Sequence, residues 1–176
     1  GKAVGVLSEV IVKKLIASPL FYRDRNITRF PDADQLLLER GPRKATFARV
    51  DGNWKLTEPF VSEADQQQLD DALDGLARLR ADELVVEKPT PEDLTRFGLD
   101  KPETRWQIKN AGKLLLEIKL GKRDESATRC YAQIAGKDLV FLLDVKQTNW
   151  LQGEFRTRTV WATPLDAVQI DSIKVT

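Results

Sequence analysis

The chain has 176 residues, 41% of them hydrophobic and 31% charged, which suits one globular domain, alone or with part of a neighbour. Lys plus Arg (28) nearly balances Asp plus Glu (27), so the basic excess of a dedicated nucleic-acid binder is missing. No apolar run approaches the ~18 residues of a membrane-spanning helix, and one cysteine, Cys130, excludes an internal disulfide and a cysteine-based zinc cluster.

Taken in chain order, Ser8 to Leu15 predicts a helix with Ser8 as N-cap, stopped by Pro19, and Phe21 to Phe30 reads as extended. From Gln35 a β grammar takes over. Leu36–Arg40 and Ala45–Val50 are strands around the Gly41-Pro42 turn, and Asp51-Gly52 is a type I′ hairpin signal leading into Asn53–Leu56. Pro59 ends this meander. Ser62 is then the expected cap of a long amphipathic helix whose stripe is Leu69, Ala72, Leu73, Leu76 and Leu79, with Asp74 paired to Arg78.

Glu83–Glu87 predicts a strand, and Thr90-Pro91 starts a short helix that Gly98 ends. Four strands follow at 104–109, 113–120, 129–134 and 139–143, with Leu114, Leu116, Ile118 and Leu120 marking one buried face. Val145 to Leu151 reads as helical and Ala167 to Val175 as a last strand. The expected class is therefore α+β: antiparallel hairpins and meander sheets, with one long amphipathic helix and short helices packed on one face.

Segments at an offset of 133 positions resemble each other: Val12-Lys13 and Val145-Lys146, Tyr22–Arg25 and Phe155–Arg158, Pro31 and Pro164. On that basis residues 1–30 are the end of a preceding repeat unit or an N-terminal extension. Residues 31–163 are the main domain, and 164–176 a terminal strand that opens a following unit. With no methionine even at position 1, the chain reads as a segment of a longer protein whose targeting segment was left out.

Histidine is absent, which removes Ser-His-Asp and Cys-His catalysis and imidazole metal sites. No nucleophile elbow, phosphate-binding glycine loop or dinucleotide fingerprint occurs. Carboxylate pairs could hydrolyse a glycoside and Asp70, Asp71 and Asp74 could hold a hard cation, but the acids fall mostly on the helix face and in turns, the cluster lacks the alternating ligands and glycine turn of a calcium loop, and a solvated surface is the favoured reading. Cys130, in a strand-like run, reads as a packed thiol rather than a reactive one. The expectation is no enzyme, no cofactor and no metal.

The candidate partner-binding residues are cationic and aromatic. Arg23 and Arg25, and likewise Arg156 and Arg158, alternate along extended segments, so each pair presents two guanidinium groups on one side; internal ion pairing is the other reading. Trp54 and Trp106 fall in strand patterns and are core, whereas Trp150 and Trp161 lie in less regular segments and could anchor a partner.

Gly52-Asn53-Trp54-Lys55-Leu56 with Pro59, the leucine-striped helix, Ala81–Val85, Phe97-Gly98-Leu99-Asp100-Lys101-Pro102, and Leu120-Gly121 with Tyr131 together resemble the bacterial family called domain of unknown function family 4340, over roughly Leu36 to Val160. The resemblance carries over no catalytic position. It implies an envelope-associated domain at the periplasmic or extracytoplasmic face, attached to the membrane through an anchor outside this chain and sometimes found beside ABC-transporter components. The expected function is a non-catalytic interaction or scaffold module, repeated along its parent, with another envelope or membrane protein as partner and no nucleic acid. The alternative is a ligand-binding accessory domain of an ABC-transporter-type system, holding an anionic small molecule or glycan.

Overall fold

Two runs of consecutive hairpins organise the fold. The computed structural model describes residues 8, 9, 12, 19–148, 155 and 156. In the first run β1 (Gln35–Arg40), β2 (Arg43–Val50), β3 (Asn53–Glu58) and β4 (Ser62–Glu63) form a meander. In the second, β6 (Thr104–Asn110), β7 (Lys113–Arg123), β8 (Arg129–Ile134) and β9 (Leu139–Asp144) form another. Asp51 and Gly52 both take positive φ, 52° and 84°, as the type I′ hairpin turn requires.

The two meanders join edge to edge, β1 against β6, with Leu36 opposite Ile108 and Leu38 opposite Trp106. The remaining strand, β5 (Glu83–Glu87), crosses to the far edge and pairs with β9. One nine-stranded sheet results, in the order β4-β3-β2-β1-β6-β7-β8-β9-β5, and every neighbouring pair is antiparallel. This corrects the α+β expectation. The fold is mostly antiparallel β, and its helices are short: α1 (Gln66–Ala77) has 12 residues, α2 (Pro91–Phe97) has 7 and α3 (Val145–Thr148) has 4.

Nor do the helices share a face. Facing partners in antiparallel strands project to the same side. Leu36, Phe47, Trp54, Trp106, Ile118, Ala132 and Phe141 thus line one face, where they pack with Leu69, Ala72, Leu73 and Leu76 of α1 in a single core. Val140 points the other way and packs with Phe97 and Leu99 of the α2 region, beside Tyr131. The Phe97 and Tyr131 rings lie 4.3 Å apart.

Helix α1 starts later than expected. Ser62 and Glu63 pair with Leu56 and Lys55 of β3, so the chain is still extended there. The N-cap is Asp65, whose carboxylate accepts from the Gln68 amide at 3.1 Å. Gln66 then locks the helix to the sheet: its side-chain amide accepts from Trp54 N at 2.6 Å and donates to Trp54 O at 2.7 Å. Arg78 donates its backbone N–H to Asp74 O, and among the described residues no ion pair joins their side chains. Helix α2 matches its sequence signals, with a Thr90–Asp93 capping box and Gly98 at φ 71° as a left-handed cap.

Two smaller departures have local causes. A register shift between Ile108 and Lys109 turns Leu114 out of the buried face, leaving it 48% exposed. The run expected to be extended from Phe21 instead begins inside a 3-10 turn, Pro19–Tyr22, after which Asn26 bridges to Arg80 and Ile27 enters the core. The strand expected at 167–175 and the helical residues expected at 149–151 lie outside the described residues. Glu9 and Val12 are helical, and Val12 N donates to Ser8 O at 3.0 Å.

Candidate functional site

The candidate arginines occupy different places. Arg23 forms an ion pair with Glu87 on the edge strand β5, and Arg25 donates to the Asp82 carbonyl at 2.6 Å. Both therefore tie the segment before β1 to the β5 edge. Arg156 lies at the opposite edge, bridging in backbone to Ala64 just before α1, and its guanidinium sits 5.6 Å from the Phe60 ring centroid. Arg158, Trp150 and Trp161 lie outside the described residues.

Phe155, beside Arg156, is a core residue that the reading of repeats did not single out. It is 1% exposed, its ring stands edge-on to Phe47 and Trp106 at 6.1 and 5.5 Å, and its carbonyl accepts from Asp65 N at 2.9 Å.

The most unusual feature is a cationic band at the end of the sheet where β1 turns into β2. Arg40 and Arg43 are directly opposed across the Gly41-Pro42 turn. They project to the same side as Leu38 and Ala45 and line a groove of about 560 Å³ together with Lys44 and Arg156. Leu38, Phe47, Leu56 and Phe60 also line it, and of these only Phe60 is substantially exposed. Arg40 also lines an adjoining groove of about 590 Å³ with Lys101, Lys122 and Arg123, where Glu103 is the acidic member. Beside the band, at the corner after β3, Phe60 and Val61 are 50% and 76% exposed.

The opposite face of the same strands carries the compensating acids. Glu39 takes Lys44 at 2.7 Å and Arg105 at 3.7 Å. The Lys44 hydrogen bond holds the Glu39 carboxyl below the ordinary carboxylate value. Lys44 is thus partly neutralised. Arg43 is exposed and has no ion pair among the described residues.

Other groups with chemical potential are occupied. Burial pushes the Cys130 thiol up, so it stays protonated. Asp70 accepts from Arg49 at 2.8 Å and from the Trp54 indole at 3.0 Å, and Asp71 accepts from Gln67 at 2.8 Å. Among the described residues no three acidic or cysteine side chains group as a metal site would require.

The model of the family described as "Domain of unknown function (DUF4340)" matches residues 54–176. The chain belongs to this family. No curated protein and no solved structure matches it. The DUF4340 match opens inside β3, so Arg40, Arg43 and Lys44 precede it, while Phe60, Lys101, Lys122, Arg123 and Arg156 fall within it.

Of the residues that carried the DUF4340 resemblance, Phe97, Gly98, Gly121 and Tyr131 meet in space. A Cβ on Gly121 would lie 2.2 Å from the Phe97 carbonyl oxygen, so the end of α2 rests directly on the β7 backbone. That contact turns the chain through Leu99–Pro102 into β6 and sets Lys101 and Lys122 beside Arg40. The opposed Arg40–Arg43 pair was missed in the sequence, although two arginines flanking a two-residue Gly-Pro turn must face each other once the hairpin forms.

Proposed function

We propose that this DUF4340 chain is a non-catalytic interaction module of a membrane-anchored bacterial envelope protein, repeated along its parent, and that an acidic partner surface docks at its cationic end. The supporting observation is the juxtaposition of exposed Phe60 and Val61 with Arg43, Arg156 and the adjoining lysines. Apolar anchors rimmed by one sign of charge are the ordinary composition of a recognition patch. The absence of histidine from the sequence and the protonated, buried Cys130 favour binding over chemistry. A periplasmic setting is part of the proposal and draws on the family. Among the described residues no helix is long and apolar enough to cross a membrane.

A photo-crosslinker at position 61, in the parent protein in intact envelopes, tests this. It should capture one discrete envelope protein, and the yield should fall with added salt and in Arg43→Glu and Arg156→Glu. Position 114 is equally apolar but lies at the other end of the strands. Equal capture from position 114 would reject the assigned face.

A second reading, a ligand-binding accessory domain for an anionic small molecule, is favoured by one observation. The groove under Arg40 and Arg43 is concave, of about 560 Å³, within the size range of small-molecule sites.

A further inference from the structure

We infer that the groove between helix α1 and the segment leading into β1 binds a short zwitterionic peptide, its carboxylate held by Arg29 and Arg78 and its ammonium group by Asp32 and Asp74. This site is separate from the cationic end and does not depend on it.

The groove has a volume of about 570 Å³. One wall is α1, with Asp70, Asp74 and Arg78, and the other is the segment 29–33, with Arg29 and Asp32; Arg49 of β2 also lines it. The two walls run antiparallel, and hydrogen bonds fix which residues meet. At the C-terminal end of α1, Thr28 Oγ1 donates to the Leu76 carbonyl and accepts from Leu79 N at 3.0 Å, which brings Arg29 toward Arg78. Nearer the helix start, Arg49 N donates to the Asp34 carbonyl at 2.9 Å while its guanidinium donates to Asp70 at 2.8 Å. Asp32 therefore lies toward Asp74.

Like charges are thus gathered, arginines at one end of the groove and aspartates at the other. Asp70 is taken by Arg49 and the Trp54 indole. The side chains of Arg29, Asp32, Asp74 and Arg78 form no ion pair or hydrogen bond among the described residues. Asp74 and Arg78 stand four residues apart in the order that favours an exposed helical pair, yet that pair does not close. Nor does Arg29 close on Asp32, three residues along the other wall. Each wall holds its own two charges apart, so the groove keeps a positive and a negative end.

That polarity selects the ligand. A simple anion would satisfy the arginines and leave the aspartates repelling each other, and a simple cation would do the reverse. A dipolar molecule relieves both ends, with charge-assisted hydrogen bonds from the guanidinium groups to its carboxylate. At the ~1.5 Å rise of an α-helix, Asp74 and Arg78 are about 6 Å apart along the axis. A free amino acid carries both charges on one carbon and is too short to span that. Extended backbone covers about 3.3–3.6 Å per residue, so two or three residues fit. Between the ends the lining includes Pro31 and Ala77, neither of them buried, which suits small side chains.

Isothermal titration of this chain with di-alanine and tri-alanine tests the site. One saturable equivalent should bind, and acetylating the N-terminus or amidating the C-terminus of the peptide should each weaken it about fivefold or more. Arg78→Gln and Asp74→Asn, both at exposed positions, should weaken the free peptide to a similar degree. Arg78→Gln should barely affect the amidated peptide, which has no carboxylate to lose. Glu92→Gln, on α2 across the sheet, should leave binding unchanged.

No saturation by either peptide below about 10 mM would overturn the inference. So would capped peptides that bind as tightly as free ones, or an affinity indifferent to Arg78→Gln and Asp74→Asn. Alanine binding as tightly as tri-alanine would overturn the peptide assignment. The position-61 crosslink reads the cationic end alone, so either proposal can fail while the other stands.

Discussion

Gly121 occupies a point where two backbones touch. A methyl group there would sit 2.2 Å from the Phe97 oxygen and 3.2 Å from Gly98, and neither neighbour is a side chain that can swing away. The helix end or β7 must shift instead, and such overpacking costs about 1–3 kcal/mol. Gly121→Ala should therefore lower the melting temperature by several degrees and perturb the Phe97–Tyr131 ring contact, read in near-ultraviolet circular dichroism. An unchanged melting temperature would show that the family's signature residues are not packed as described. The sequence displayed Gly98 openly, as a helix stop before Leu99-Asp100, because a left-handed cap leaves a local mark. Gly121 left none, since its requirement comes from a residue 24 positions earlier in the chain.

At the scale of elements, what was readable followed the range of the forces involved. The hairpins were legible because Asp51-Gly52 and the alternation of Leu116, Ile118 and Leu120 are local patterns. The helix start was not, because Ser62 is as good a cap as Asp65 until the two-residue pairing with β3 claims it. The placement of helices on two faces did have a signal. Val140–Leu143 of β9 is apolar at successive positions and buried at each, which a strand covered on one face only would not be.

The edge strand β5 depends on a polar clamp. Arg129 donates from Nη1 to Glu83 at 2.8 Å and from Nε to Asp124 at 2.9 Å, linking the β7–β8 loop to the start of β5. Burial pushes the Asp124 carboxyl up, but hydrogen bonds from Arg129 and Ser126 outweigh it and hold the group below its ordinary 3.8. A carboxylate with a depressed folded-state pKa stabilises the fold fully above its unfolded value. That stabilisation is lost as pH falls through the folded one. Asp124→Asn should therefore melt lower than the parent at neutral pH, and the gap should close on acidification below 3.8. Thermal melts at the two pH values check it; a gap that persists in acid would assign the effect to shape instead of charge.

The whole molecule is one sheet made of two meanders, and the question is whether it folds as one unit or two. The join, β1 against β6, is a six-residue antiparallel ladder with the pairs Leu36–Ile108 and Leu38–Trp106 at its centre and the Arg105–Glu39 ion pair across it. The core argues for unity. Leu36, Phe47 and Trp54 of the first meander share one buried cluster with Trp106, Ile118 and Phe141 of the second, and α1 and Phe155 cover both. Opening either meander alone would expose the inner face of the other, at roughly 25 cal/mol for each Å² of apolar surface. Native-state hydrogen exchange under increasing urea should then show amides of β3 and β8 converging on the same opening free energy, equal to that of global unfolding. If β1 to β4 opened first, the chain would be two foldons meeting at a seam. A cationic end built from both sides of that seam, Arg40 and Arg43 from one and Lys101, Lys122 and Arg123 from the other, would then exist only while the seam is closed.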